Sequence, residues 1–99
     1  MKVSLLAPAR QELDEAFAWY EAQVVGVGYG FLDEFNRAVR LVTTFPELYQ
    51  LINPGIRRCL LNRFPCGLVY GVDDGMIVIV ALAHVRRRPL YWFDRLPKK

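Results

Sequence analysis

The stretch Cys66 to His84, CGLVYGVDDGMIVIVALAH, decides the fold. Two runs rich in Val, Ile and Leu, CGLVYGV (Cys66 to Val72) and MIVIVALAH (Met76 to His84), flank Asp73, Asp74 and Gly75. Asp-Gly tolerates the positive φ that both central positions of a tight hairpin turn require, so the runs read as neighbouring antiparallel strands. The second run is apolar on both faces, which predicts a central strand covered by helices on one side and by another element on the other.

Outward from this hairpin, IRRCLLNRF (Ile56 to Phe64) is a further strand-like run ended by Pro65, completing an antiparallel meander of three strands. A loop around INPG (Ile52 to Gly55) separates the meander from a helical half. There, Lys2 to Leu6 suits a first strand, and Pro8 suits the first turn of a helix, where a missing N–H costs nothing. Leu13, Ala16, Phe17, Tyr20 and Val24 follow at helical spacing, with Glu12, Glu15 and Glu21 mainly off the stripe. GVGYG (Gly26 to Gly30) reads as a turn between helices, because three glycines in five residues disfavour a continued helix. A second helix then carries Phe31, Phe35, Ala38, Val42 and Phe45 on one face, with Leu32 and Val39 widening it, until Pro46 stops it. The order is α+β: an N-terminal strand, a helical hairpin and a three-strand meander, forming one sheet with two helices on one face. No linker or repeat divides the 99 residues, so a single domain over 1–99 is expected.

Apolar residues make up 54% of the chain, too many for disorder, yet no run approaches the roughly 18 consecutive apolar residues of a membrane span. The start MKVSLLAPARQELDE turns acidic at once and does not resemble a signal peptide, so a cytoplasmic protein is expected. Cys59 and Cys66 lack CxxC spacing and have one histidine to join them, so free thiols are expected and no metal site. Charge is divided along the chain. Residues 1–55 hold four basic against seven acidic side chains, and residues 56–99 hold nine basic against three acidic. A basic half of this kind attracts polyanions or an acidic protein segment, in a salt-dependent way.

Arg57 and Arg58 are adjacent on one strand and point to opposite faces, with Arg63 expected on the face of Arg57. Past the central strand comes HVRRRPLYWFDR (His84 to Arg95), which holds Arg86, Arg87, Arg88 and Arg95 beside Tyr91 and Trp92. The aromatics can anchor a partner or cover the sheet. No Walker loop, HExxH or GxSxG is present, and the glycines of GVGYG do not follow a strand as a phosphate loop does.

Taken in order, ARQELDEAFAWYE (Ala9 to Glu21), FPELY (Phe45 to Tyr49), IRRCLLNRFPCGLVY (Ile56 to Tyr70), the DDG hairpin and VIVALAHVRRRPLYW (Val78 to Trp92) resemble the RelE/ParE superfamily of type II toxin–antitoxin toxins, closest to its ParE-like members. The resemblance covers essentially the whole chain. It implies a growth-arresting toxin neutralised by an antitoxin, as a homodimer or a heterotetramer with that partner, and no cofactor. Two activities occur in the superfamily: inhibition of DNA gyrase and ribosome-dependent cleavage of mRNA. A nuclease here would draw on Arg58, Arg63, His84, Arg86 and Tyr91. His84 would protonate the leaving oxygen, but the general base has no clear owner, since Glu47 is expected to face solvent and no lysine lies between Lys2 and Lys98. The gyrase reading is therefore preferred, with Arg57, Arg58, Arg63, Arg86, Arg87, Arg88, Tyr91, Trp92 and Arg95 as the surface for target or antitoxin.

Overall fold

A computed structural model describes residues 1–97; Lys98 and Lys99, counted above in the basic half, lie outside the described residues. The elements are β1 (Lys2–Leu5), α1 (Ala7–Gln23), α2 (Val27–Thr44), β2 (Gln50–Asn53), β3 (Ile56–Leu60), β4 (Cys66–Asp73), β5 (Met76–His84) and a 3₁₀ turn at Phe93–Arg95. The five strands form one sheet in the order β1-β5-β4-β3-β2, in which β1 runs parallel to β5 and the remaining neighbours are antiparallel. This is the expected α+β architecture with one strand more. The meander has four strands, because the INPG segment is itself a hairpin: β2 folds back on β3 through Pro54 and Gly55, whose φ of 74° only a glycine adopts cheaply. β4 and β5 occupy the expected runs, and Asp74 and Gly75 take φ of 50° and 75° as the hairpin requires.

Two expectations about the helical hairpin change. GVGYG is not a turn throughout. Only Gly26, at φ 94°, turns the chain, and Gly28 and Gly30 lie inside α2. Gly28 is needed by packing rather than by flexibility, since a Cβ there would stand 2.8 Å from the Phe17 carbonyl oxygen and 2.9 Å from the Glu21 Cβ. The helices therefore cross closely at this point. The Glu21 carboxylate of α1 accepts the amides of Gly26 and Gly28, satisfying the free N–H groups that open α2. Beyond the ends of the amphipathic stripes, Val24 and Phe45 are exposed, because each is the residue at which its helix stops and the chain turns away from the core.

The main core lies between the helices and the sheet, built from Leu13, Phe31, Phe35, Val42, Leu68, Tyr70, Ile77 and Ile79 among others. Tyr70 is fully buried and donates its hydroxyl to the Pro46 carbonyl at 2.7 Å, and burial pushes its phenol up to about 12. The other face of the sheet carries a smaller core of Ile56, Val69, Val80, Ala81 and Trp92. It is covered by the segment after β5 and by no helix. Val69 faces Ala81 while Tyr70 faces Ile79, so Val80 is an extra residue, a β-bulge. The bulge resets the alternation: Ile77, Ile79 and Leu82 all serve the helical core, whereas Val80 and Ala81 serve the other. Among the described residues, no helix is long and apolar enough to cross a membrane.

Candidate functional site at the end of the central strand

Past the end of β1, the backbone of β5 is left without a parallel neighbour. β1 stops at Leu5, opposite Ile79, and beyond that point the Val80 carbonyl and the Leu82 amide are the acceptor and donor that a parallel neighbour would bridge. Two side chains bridge them instead. The Glu12 carboxylate accepts the Leu82 amide at 3.1 Å, and the Arg95 guanidinium donates to the Val80 oxygen at 3.1 Å. Arg95 also holds Glu12 through both terminal nitrogens, at 2.8 and 3.1 Å, and Tyr91 donates its hydroxyl to the same carboxylate. Glu12 and Arg95 are largely buried, at 15% and 19% side-chain exposure. Burial on its own raises the Glu12 carboxyl, but the bonds from Arg95, Tyr91 and Leu82 outweigh it and hold the group below its ordinary value. Burial and then the bond to Glu12 push the Tyr91 phenol well above the ordinary tyrosine value.

This network fastens the segment after β5. His84 ends the strand and its Nδ1 accepts the Arg86 amide at 3.0 Å, so the ring's own proton belongs on Nε2. The Val85 amide donates to the Pro65 carbonyl at 2.9 Å, which pins the arginine turn to the β3–β4 connection. After Pro89, Leu90 takes φ of 61°, and the chain swings back across the sheet. Trp92, at 3% exposure, inserts into the smaller core. Tyr91 stands with the Arg87 guanidinium 3.9 Å from its ring centroid and that of Arg95 5.1 Å away.

Two hollows open on either side of this segment. A groove of about 520 Å³ lies between α1 and the end of β5, lined by Ala16, Trp19, Tyr20 and Leu82, with Glu12 and Glu15 on one flank and Arg87 on the other. Trp19 is 60% exposed there. A second hollow of about 370 Å³ lies on the face without helices, where Arg58, His84, Arg87 and Arg88 surround a floor that includes Val69 and Trp92.

The arginines expected on one surface thus divide into three groups. Arg58, Arg87 and Arg88 share the second hollow. Arg57 does point to the opposite face from Arg58, where it donates to the Tyr49 carbonyl at 2.8 Å. Arg63 does not share a strand face with Arg57, because β3 ends at Leu60 and Arg63 sits in a bend at φ 68° beside Phe64. Arg86 is exposed and lines neither hollow. Arg95 and Trp92 are internal: one is an ion-pair partner and the other a core residue, so neither presents its functional end to solvent.

The helical spacing leaves Glu12 off the apolar stripe of α1, yet it is the centre of the network. Its signal was present in the sequence: Ala9, Glu12 and Ala16 recur at i, i+3 and i+7, and small residues on both sides leave room for a carboxylate to turn inward. Burial raises both free thiols, Cys59 and Cys66, which leaves them poorly reactive. Among the described residues no group of three or more His, Cys, Asp or Glu side chains is placed to hold a metal ion.

A five-stranded sheet with its N-terminal strand parallel to the central one, a helical hairpin on one face and a basic turn past the central strand define a RelE/ParE-like toxin fold. The chain belongs to the ParE toxin family of type II toxin–antitoxin systems, whose family model matches residues 3–89. Among solved structures, a chain of the chromosomal ParDE toxin–antitoxin system from P. aeruginosa is similar, with a TM-score of 0.67 at 18% identity, over 85% of this chain and 95% of that one. At that identity the likeness is one of fold. No curated protein matches the sequence.

Proposed function

We propose that this toxin arrests growth by binding DNA gyrase in the cytoplasm, is not itself a nuclease, and is neutralised by an antitoxin. Membership of the ParE family supports the reading, and the observation that carries it is the commitment of Tyr91. In a nuclease Tyr91 would have to exchange a proton with the substrate, but its hydroxyl is donated inward to the Glu12 carboxylate, and burial together with that bond raises its phenol. Arg63, in its bend beside Phe64, lines neither hollow that His84 lines. The residues a nuclease would need are therefore partly occupied and partly dispersed. The apolar groove with exposed Trp19 and the Arg87 rim suits an amphipathic antitoxin segment, a common mode of recognition.

Purified toxin, incubated with gyrase and plasmid, is expected to accumulate cleaved DNA held by the enzyme and to block supercoiling. Unaffected supercoiling at saturating toxin would overturn the reading. New 5′ ends in translated messages after induction would replace it with mRNA cleavage.

A further inference from the structure

The hollow on the helix-free face has a composition that the gyrase reading alone does not use. Its charged lining is Arg58, Arg87 and Arg88, with His84 beside them and no carboxylate. The groove on the other side of Arg87, by contrast, carries Glu12 and Glu15. The ion pairs among the described residues join Arg10 to Asp14, Arg37 to Glu34 and Arg95 to Glu12, so none draws charge from these three arginines. Arg58 is the one of them held partly inside the protein. Its Nε is buried without a hydrogen-bond partner, and its Nη2 reaches only the Gln50 side-chain oxygen at 3.4 Å. The single long bond to Gln50 leaves the other terminal donors of the guanidinium with capacity for acceptors. The Arg58 stem is held in place, because a Cβ on Gly67 would stand 2.9 Å from its Cγ and Cδ; glycine at that position gives the stem room to lie across β4.

We infer that this hollow binds the phosphodiester backbone of DNA, so that the toxin touches the nucleic acid as well as the enzyme that holds it. The guanidinium fork matches phosphate oxygens in pairs, and three uncompensated arginines match a ligand whose charges repeat every few ångströms. A single carboxylate of a peptide would neutralise one of them. Base stacking contributes little, because Trp92 is buried and the Tyr91 ring is covered by Arg87, so binding is expected to be indifferent to sequence. The DNA met in the cell being gyrase-bound rests on the function proposed above; the binding of the backbone itself does not.

The test is fluorescence anisotropy of a labelled DNA duplex titrated with the full-length toxin at several salt concentrations, alongside a labelled polyglutamate peptide. Binding in the ~10⁻⁴ to 10⁻⁶ M range of non-specific association is expected, with affinity falling as salt rises. Arg88→Gln, on an exposed turn, and Arg58→Lys, which keeps charge and stem but loses the fork, should both weaken binding. Arg88→Gln should also flatten the logarithmic salt slope by about 0.9. Arg40→Gln, on exposed α2 surface, changes net charge equally and should do much less. No DNA binding by folded toxin, equal effects of Arg88→Gln and Arg40→Gln, or binding of the peptide alone would overturn the inference. Gyrase inhibition without DNA binding would remove the inference and keep the gyrase reading. DNA binding lost in Arg88→Gln, with gyrase unaffected by either protein, would keep the inference and remove the gyrase reading.

Discussion

The Glu12 carboxylate and the Leu82 amide meet at 3.1 Å across a sequence separation of 70 residues, at the point where the parallel neighbour of β5 has run out. A helix side chain thus finishes the edge of a sheet, and a second one, Arg95, joins it there. Removing one partner leaves the other charged in a site with little water. Breaking a fully buried pair costs roughly 3–5 kcal/mol, so Glu12→Gln in this partly solvated one should cost about 2–3 kcal/mol. Urea unfolding gives the number, and a double-mutant cycle with Arg95→Met should show a coupling of at least ~1 kcal/mol.

The same carboxylate sets part of the acid limit. Glu12 and Glu34 both titrate below their ordinary value of 4.5, Glu12 because its hydrogen bonds outweigh burial, Glu34 chiefly through its bond from Arg37. A folded-state value below the unfolded one contributes stability that is complete above the unfolded value and is lost as pH falls through the folded one. Melting temperature is therefore expected to be level near neutrality and to decline below about pH 4.5, more steeply in the parent than in Glu12→Gln. Scanning calorimetry from pH 7 to pH 3 measures both slopes.

The two helical glycines should respond in opposite directions. Gly30 has open space where a Cβ would stand, so Gly30→Ala should stabilise by about 0.5–1 kcal/mol. Gly28→Ala must push against the Phe17 carbonyl and Glu21, and should destabilise by about 1–3 kcal/mol despite the same gain in helix propensity. Chemical denaturation of the two variants side by side is sufficient.

Trp92→Ala removes the largest side chain of the smaller core and should cost about 3–5 kcal/mol. For a chain of this length each kcal/mol corresponds to about 4–8 °C in melting temperature, so the loss is easily read. Tyr91→Phe removes only the hydroxyl bonded to Glu12. It should cost about 1.5–3 kcal/mol and, in an induced culture, leave growth arrest in place, whereas a nuclease using that hydroxyl would lose its activity.

The sequence patterns were sufficient wherever neighbours along the chain supply the signal. β4, β5 and the Asp74–Gly75 turn carry it in their own residues, and Arg87 and Arg88 are brought together by adjacency alone. What escaped depends on distant partners. β2 is four residues with two apolar ones, and its pairing is supplied by β3 rather than by its own pattern. Gly28 has a low helix propensity, overruled by the close approach of α1. Glu12 turns inward only because Leu82, Tyr91 and Arg95, at least seventy positions away, need an acceptor there.

The pairing of β1 with β5 and of Glu12 with Arg95 has a further consequence in time. A chain emerging from the ribosome delivers β1 and α1 long before the strand and the cation that complete them, and such non-local pairing must wait for the late segment. Until then the helical hairpin has an unfinished sheet to rest on and the smaller core has no lid. The folded toxin accordingly forms only once the segment through Arg95 has been made. A chain cut short before Tyr91 never acquires the form described here.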